Sequence, residues 1–236
     1  MWEIYKRGLV MNVKNTITGC ILGAKGSGKS VFLAKMLNDT NKKMLLFDIL
    51  GVFNPRAAFR TAIVPNSYYV MDIDSLIENF DKFPSNAKII LNCENYVNEE
   101  LIEVFDKVSE FLLDRREHIG VLSDEIADVM PNMSNGSKEF HRLVKNGRNY
   151  GIKPVIFATQ RPQSVSKNIF DLCDEFFISK QKAPRTIEYI KNILDVSGDT
   201  KIEKQITNLK TREFLITTDN SVKKYTVPEW KYCNAQ

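Results

Sequence analysis

Histidine and cysteine are scarce in this chain of 236 residues, with two of the first (His118, His141) and four of the second (Cys20, Cys93, Cys173, Cys233). No two cysteines form a Cys-x-x-Cys pair, and neither histidine stands at ligand spacing with them. A metal centre or disulfide framework is therefore not expected, and the thiols read as scattered, buried and reduced, as in a cytosolic protein. No apolar run reaches the ~18 residues of a membrane-spanning helix. The first residues, Met-Trp-Glu-Ile-Tyr-Lys-Arg, carry charge but are followed by no apolar stretch, so no secretory signal is expected. Repeats and low-complexity linkers are missing. With 43% apolar and 26% charged residues, disorder, collagen-like repeats and coiled-coil arrays are excluded. Neither charge sign dominates: 33 Lys and Arg against 29 Asp and Glu leave +4, which permits a local basic patch but names no partner.

What is present is an alternation of short β-rich runs with longer helical segments. Strands are expected over Thr16–Leu22, Lys43–Asp48, Lys88–Asn92, Ile119–Ser123, Lys153–Thr159, Glu175–Ser179 and Arg212–Thr217. Helices are expected over Lys29–Asn38, over residues 99–117, where Leu101, Val104, Phe105, Val108, Phe111 and Leu112 form a 3.6-period stripe, and over Lys138–Asn149. Such alternation implies βαβ units and a mainly parallel sheet, and the continuous apolar runs fit strands covered on both faces. At ~150 residues per domain, one large domain is expected over residues 1–236, with a core over about 16–180 and an extension over about 181–236. Residues 131–137 (PNMSNGS) and 161–168 (RPQSVSKN) read as loops near the C-terminal ends of strands, the edge that carries the ligand in open α/β sheets. Ser197–Thr200 is a third break, between two late helical segments.

Residues 23–30 read Gly-Ala-Lys-Gly-Ser-Gly-Lys-Ser, a complete G-x-x-x-x-G-K-[ST] phosphate loop between a strand and a helix. Gly23, Gly26 and Gly28 let the backbone curl so that successive N–H groups, through Ala24, Lys25 and Ser27, point at one anion. Lys29 opens the helix and reaches the β- and γ-phosphates, Ser30 offers a hydroxyl to Mg²⁺, and Val31 completes the nucleotide-binding run at the helix N-terminus. A second signal is the apolar strand ending Ser-Asp-Glu at residues 123–125. Taken alone, that pair is as well read as a solvated strand end. Behind a complete phosphate loop it reads as a site in which Asp124 holds the hydration shell of Mg²⁺ and Glu125 polarises the attacking water. The pair points to hydrolysis of ATP rather than to kinase-type transfer.

Residues 142–162 read RLVKNGRNYGIKPVIFATQRP. With the phosphate loop and the Asp-Glu pair, this stretch resembles the FtsK/HerA superfamily of DNA-pumping ATPases. The matching features are Arg148 ahead of Gly151, the apolar strand Val155–Ala158, and Thr159-Gln160-Arg161-Pro162 directly after it. The likeness runs in order from Gly23 to Ser179. It implies a P-loop NTPase fold of the RecA-like (ASCE) type, with a mainly parallel central sheet flanked by helices. It also implies that Gln160 senses the γ-phosphate and that Arg148 is a finger acting on the neighbouring subunit's nucleotide, with Arg142 as the rival. Thr159 and Arg161 fall at positions that touch DNA phosphates, with Lys167 and the loop from Pro131 to Lys138 as weaker candidates.

Other features of that family are not expected here: a membrane segment before the motor, an N-terminal barrel (only ~15 residues precede the first core strand) and a trailing winged helix. A bare motor of this size resembles the genome-packaging ATPases of tailless, often membrane-containing double-stranded DNA viruses. The implied partners are double-stranded DNA, further copies in a hexameric or pentameric ring, and a portal or membrane packaging protein. The implied location is the host cytoplasm or the packaging vertex of the virion. A motor of conjugation or plasmid transfer, and an ATP-gated scaffold that moves no DNA, remain as alternatives. The tail carries two strand-like runs, REFLITT and KKYTVPEW, expected to extend the sheet or make subunit contacts.

Overall fold

Nine strands form one sheet in the order β3-β4-β2-β5-β6-β1-β7-β8-β9 among the described residues of this computed structural model, which are 18–54, 67–133, 135–196, 199–218 and 221–228. The strands are β1 (Thr18–Leu22), β2 (Lys43–Asp48), β3 (Ser67–Val70), β4 (Lys88–Asn92), β5 (Ile119–Ser123), β6 (Val155–Thr159), β7 (Glu175–Ser179), β8 (Glu213–Thr218) and β9 (Ser221–Thr226). β1 to β7 are parallel, and β8 and β9 add an antiparallel hairpin at one edge. The helices are α1 (Lys29–Asn38), α2 (Ile73–Asn79), α3 (Asn98–Arg115), α4 (Lys138–Asn146), α5 (Lys167–Phe170), α6 (Pro184–Ile193) and α7 (Thr200–Asn208).

The strands are apolar throughout because both faces are covered, and the period of two shows in which side each residue takes. Ile21, Leu46, Leu122, Ile156, Ala158 and Phe177 pack on one side with Phe32, Leu33 and Met36 of α1. Leu22, Leu45, Phe47, Val121, Phe157 and Ile178 pack on the other with Leu101, Phe105 and Leu112 of α3 and Phe140 of α4. Aromatic pairs anchor both layers: Phe32 stacks on Phe214 with centroids 4.5 Å apart, and Phe47 on Phe105 at 4.0 Å. Each such pair is worth about 0.5–1.5 kcal/mol beyond the area it buries. The N-terminus of α4 is clamped to α3. Ser137 caps Phe140 N at 3.0 Å and donates to Asp106 Oδ1 at 2.6 Å, which also accepts from Glu139 N at 2.9 Å.

The sequence boundaries hold closely for α1, β2, β4, β5 and β7. α3 covers residues 98–115, and α4 gives way at Gly147–Tyr150 to a 3₁₀ turn. β6 starts at Val155, after Pro154, whose ring nitrogen has no hydrogen to give a ladder. The stretch 161–168 is more ordered than a loop: it holds a 3₁₀ turn (Pro162–Ser164) and the start of α5. It is zipped to residues 130–132 by Asn132 N to Ser164 O and Ser166 N to Met130 O, both 2.9 Å. REFLITT and KKYTVPEW extend the sheet as β8 and β9. The start of the first expected strand (Thr16, Ile17), Cys233, and parts of residues 197–200 and of KKYTVPEW lie outside the described residues. Cys20 and Cys93 are buried free thiols, and Cys173 is a half-buried one.

Gly23 leaves β1 against β7. A Cβ there would stand 1.8 Å from Ser179 Oγ and 2.7 Å from Ser27 Oγ. Gly23→Ala should therefore lower the melting temperature, by roughly 2–4 °C for each kcal/mol of an overpacking cost of about 1–3 kcal/mol. Adding Ser179→Ala, which removes the clashing oxygen, should recover part of the loss in the same thermal melts. A double variant no more stable than Gly23→Ala alone would contradict this contact.

Candidate active site

Because β1 to β7 run parallel, every segment that leaves their C-terminal ends meets at one edge of the sheet, and α1 starts there. Residues 23–28 curl there between two neighbours of β1. Gly23 N donates to Thr159 O of β6 at 3.2 Å, and Ala24 N to Lys180 O beyond β7 at 3.4 Å. Ser27 is held by a 2.7 Å bond from Ser179 Oγ, and Ser27 O accepts from Arg212 N at 2.9 Å. Gly26 and Gly28 have φ of 76° and 102°, which only glycine adopts cheaply. Lys29 Nζ folds back onto Gly23 O (2.7 Å) and Ala24 O (3.1 Å). Burial pushes its ammonium pKa down, while Glu125 and then Asp124 pull it back up, so the lysine sits within the field of both carboxylates.

Those carboxylates are themselves held by backbone N–H groups. Asp124 Oδ1 accepts from Ile49 N at 2.9 Å and Oδ2 from Leu50 N at 3.2 Å. Glu125 Oε1 accepts from Ile126 N and Ala127 N, and Oε2 from Gln160 N, each at 3.2 Å. The amide of Gln160 thus touches the residue expected to activate water, which ties the end of β6 to the end of β5. Both carboxylates are buried, with Asp124 2% and Glu125 1% exposed.

A third carboxylate escaped the sequence reading. Asp48, at the end of β2, is fully buried; its Oδ2 accepts from Phe53 N at 3.1 Å. Its Oδ1 is buried without a hydrogen-bond partner among the described residues. Burial, more than the amides of Phe53 and Val52 can offset, pushes Asp48 up to about 6. Asp124 is raised well above its usual range by burial first and by Asp48 second. The signal was legible in principle, since KMLLFD ends in an acid at the same edge as Ser-Asp-Glu.

The partnerless Oδ1 of Asp48, the buried carboxylate of Asp124 and the hydroxyl of Ser30 are hard oxygen donors of the kind that suits Mg²⁺. No group of three or more His, Cys, Asp or Glu able to cage a metal occurs among the described residues.

The remaining candidates divide. Gln160 is half-buried at the site, and Ser30 and Val31 lie in the first turn of α1. Arg148 is exposed in the turn that precedes β6, so the length of that strand, about 16 Å at ~3.3 Å per residue, separates it from Gln160 and from its own phosphate loop. Arg142 is exposed on α4 and pairs with Glu139 at 3.0 Å. Thr159 is a correction: its side chain is fully buried and its Oγ1 accepts from Arg161 N at 2.9 Å, which shapes the turn and leaves nothing to touch DNA. Arg161 is half-exposed and holds Asp128 at 2.8 Å, and Lys167 is exposed at the start of α5.

No protein-family model matches the chain. Protein P9 of Pseudoalteromonas phage PM2 is 25% identical over 196 residues, which is 82% of this chain and 81% of P9. Among solved structures, the genome packaging NTPase B204 from Sulfolobus turreted icosahedral virus 2, in complex with ATPγS, superposes with a TM-score of 0.67. Identity is 14%, over 89% of this chain and 96% of that one. EssC (ATPases 2 and 3) from Geobacillus thermodenitrificans superposes at 0.54 with 13% identity, covering 93% of this chain and 41% of that one. The fold is thus the mixed α/β fold of the packaging NTPase B204 and of EssC, as the sequence led us to expect.

The Asp48–Asp124 pair sets a pH dependence. Below the ordinary carboxylate value of 3.8, Asp48 is protonated in both the folded and the unfolded chain. Between 3.8 and about 6 the unfolded chain ionises first, so the pair's contribution to stability falls as pH rises and stays low above about 6. Without nucleotide or Mg²⁺, Asp48→Asn should therefore raise the melting temperature relative to wild type more at about pH 7.5 than near pH 4. An equal difference at both pH values would contradict the buried, unsatisfied charge.

Proposed function

We propose that this chain is an ATP-driven translocase of double-stranded DNA that packages a viral genome. The observation that carries the reading is the convergence of a complete phosphate loop, Asp124, Glu125 and Gln160 at one sheet edge, in a chain that spans 96% of a genome packaging NTPase whose structure is in complex with ATPγS. The 25% identity to a phage protein supports the viral context.

In this reading the amides of residues 24–30 and the Lys29 ammonium hold the β- and γ-phosphates, with Lys29 leaving the carbonyls of Gly23 and Ala24 as the phosphates arrive. Ser30 and Asp124 would hold Mg²⁺ and its waters, which supplies charge compensation for the phosphates. Glu125 accepts a proton from the water that attacks the γ-phosphorus. The Gln160 amide keeps the carboxylate of Glu125 oriented, and its side chain reports whether the γ-phosphate is present. Arg148, remote from its own phosphate loop, acts on the nucleotide of an adjoining copy, so hydrolysis requires a ring. Arg161 and Lys167 grip DNA through phosphates, without reading bases. For Arg161 a DNA phosphate has to displace Asp128. The partners are double-stranded DNA, further copies of the chain and a portal or membrane packaging protein, at the packaging vertex or in the host cytoplasm. No helix among the described residues is long and apolar enough to cross a membrane.

Glu125→Gln should bind ATP as wild type does but lose turnover by on the order of 10²–10⁴-fold, because the amide cannot take the proton. Equilibrium ATP binding and steady-state hydrolysis, with and without linear double-stranded DNA, separate the two effects. Hydrolysis by Glu125→Gln at the wild-type rate would overturn the assignment of the base.

A further inference from the structure

The catalytic groups all lie to one side of the phosphate loop. Asp124 and Glu125 follow β5 and Gln160 follows β6, and the sheet order places both strands on the same side of β1. A nucleotide with its γ-phosphate against these residues must carry its nucleoside toward the other side, over the ends of β7 and β8. Because β8 is antiparallel, the residues that enter it stand at the same edge as those that leave β7.

Two features there have no role in the chemistry described above. Arg212, just ahead of β8, has φ of 68° in the left-handed region. A non-glycine residue held there is strained, and such strain persists where the surroundings impose it. The surroundings here are the phosphate loop: Arg212 N donates to Ser27 O at 2.9 Å, and Val227 N donates to Arg212 O at 2.9 Å from the far side. The Cα and Cγ of Arg212 stand 3.2 Å from where a Cβ on Gly28 would lie, so its side chain runs past the last glycine of the loop. The second feature is Gln181. It is 3% exposed and follows Lys180, whose carbonyl accepts from Ala24 N. Its Nε2 is buried without an acceptor among the described residues, a costly state for an amide donor unless a ligand completes it.

We propose that Arg212 binds the nucleoside half of the nucleoside triphosphate, laying its guanidinium on the base, with the Gln181 amide as a second donor on the same side. This rests on the nucleotide reading above and names the part of the site that holds the base. Glycine would adopt this φ without strain; the arginine here supplies a planar cation beside the phosphate loop. A cation stacked on a base tolerates any base and adds affinity rather than selectivity. The extension over residues 181–236 thus contributes a wall of the nucleotide site.

The test compares equilibrium binding of Mg-ATP and of magnesium tripolyphosphate, which lacks the nucleoside, to wild type, Arg212→Gly and Arg212→Asn. Both substitutions tolerate the left-handed backbone and keep the N–H that holds Ser27, and either one suffices if the other folds poorly. The expected result is ATP binding weakened roughly tenfold, the scale of a desolvated cation–π contact, with tripolyphosphate binding unchanged. Equal weakening of both ligands would show that Arg212 only props the loop and would overturn the proposal, as would no change in either. If wild type bound neither ligand, the nucleotide reading itself would fall.

Discussion

The six residues from Gly23 to Gly28 must hold a tight curl while the strands around them stay close-packed. The curl is held partly from within, by Ser27 N on Ala24 O and the Lys29 ammonium on Gly23 O and Ala24 O, and partly from outside. Three strands share that work: β6 through Thr159 O, β7 through Ser179 and Lys180, and β8 through the amide of Arg212. Much else at this edge follows. The parallel order of β6, β1 and β7 brings the supporting carbonyls into place, and the antiparallel β8 is the strand that can deliver its first residue, rather than its last, to the same edge.

On the opposite flank the constraint is charge. Asp48, Asp124 and Glu125 are buried together, with one ammonium, Lys29, in their field. Backbone amides share the load: two on Asp124 and three on Glu125. Asp48 keeps an oxygen with no partner among the described residues. Without a cation this flank is electrostatically unsatisfied, and such tension at a strand edge marks a place built to be completed by something else.

Much of this was legible in the sequence because the residues involved are locally determined. The phosphate loop is contiguous, and the buried strands read as apolar runs whose ends coincide with those of β2, β4, β5 and β7. What escaped depends on distant pairing. β3 lies at the sheet edge with half its residues exposed, and its four residues Ser-Tyr-Tyr-Val are too short a run to stand out as a buried strand. α2 buries one side chain, Leu76, and its main local signal is the Asp72 cap on Ser75 N. Asp48 looks like an ordinary strand end until β2 is seen to lie against β5. Nothing local marks Ser179 or Arg212, which reach the phosphate loop only through the placement of β7 and β8. The reading of Thr159 failed for a related reason: a motif position does not say whether a side chain faces the solvent, and here it turns inward to cap Arg161.

Movement of DNA driven by hydrolysis is what separates a packaging motor from an ATP-gated scaffold. The most direct measurement is displacement of a triplex-forming third strand from linear double-stranded DNA by the purified chain. The prediction is that the third strand is released with Mg-ATP, and not with ADP or by Glu125→Gln. Active ATP hydrolysis in the presence of that DNA, with the third strand left in place, would contradict it.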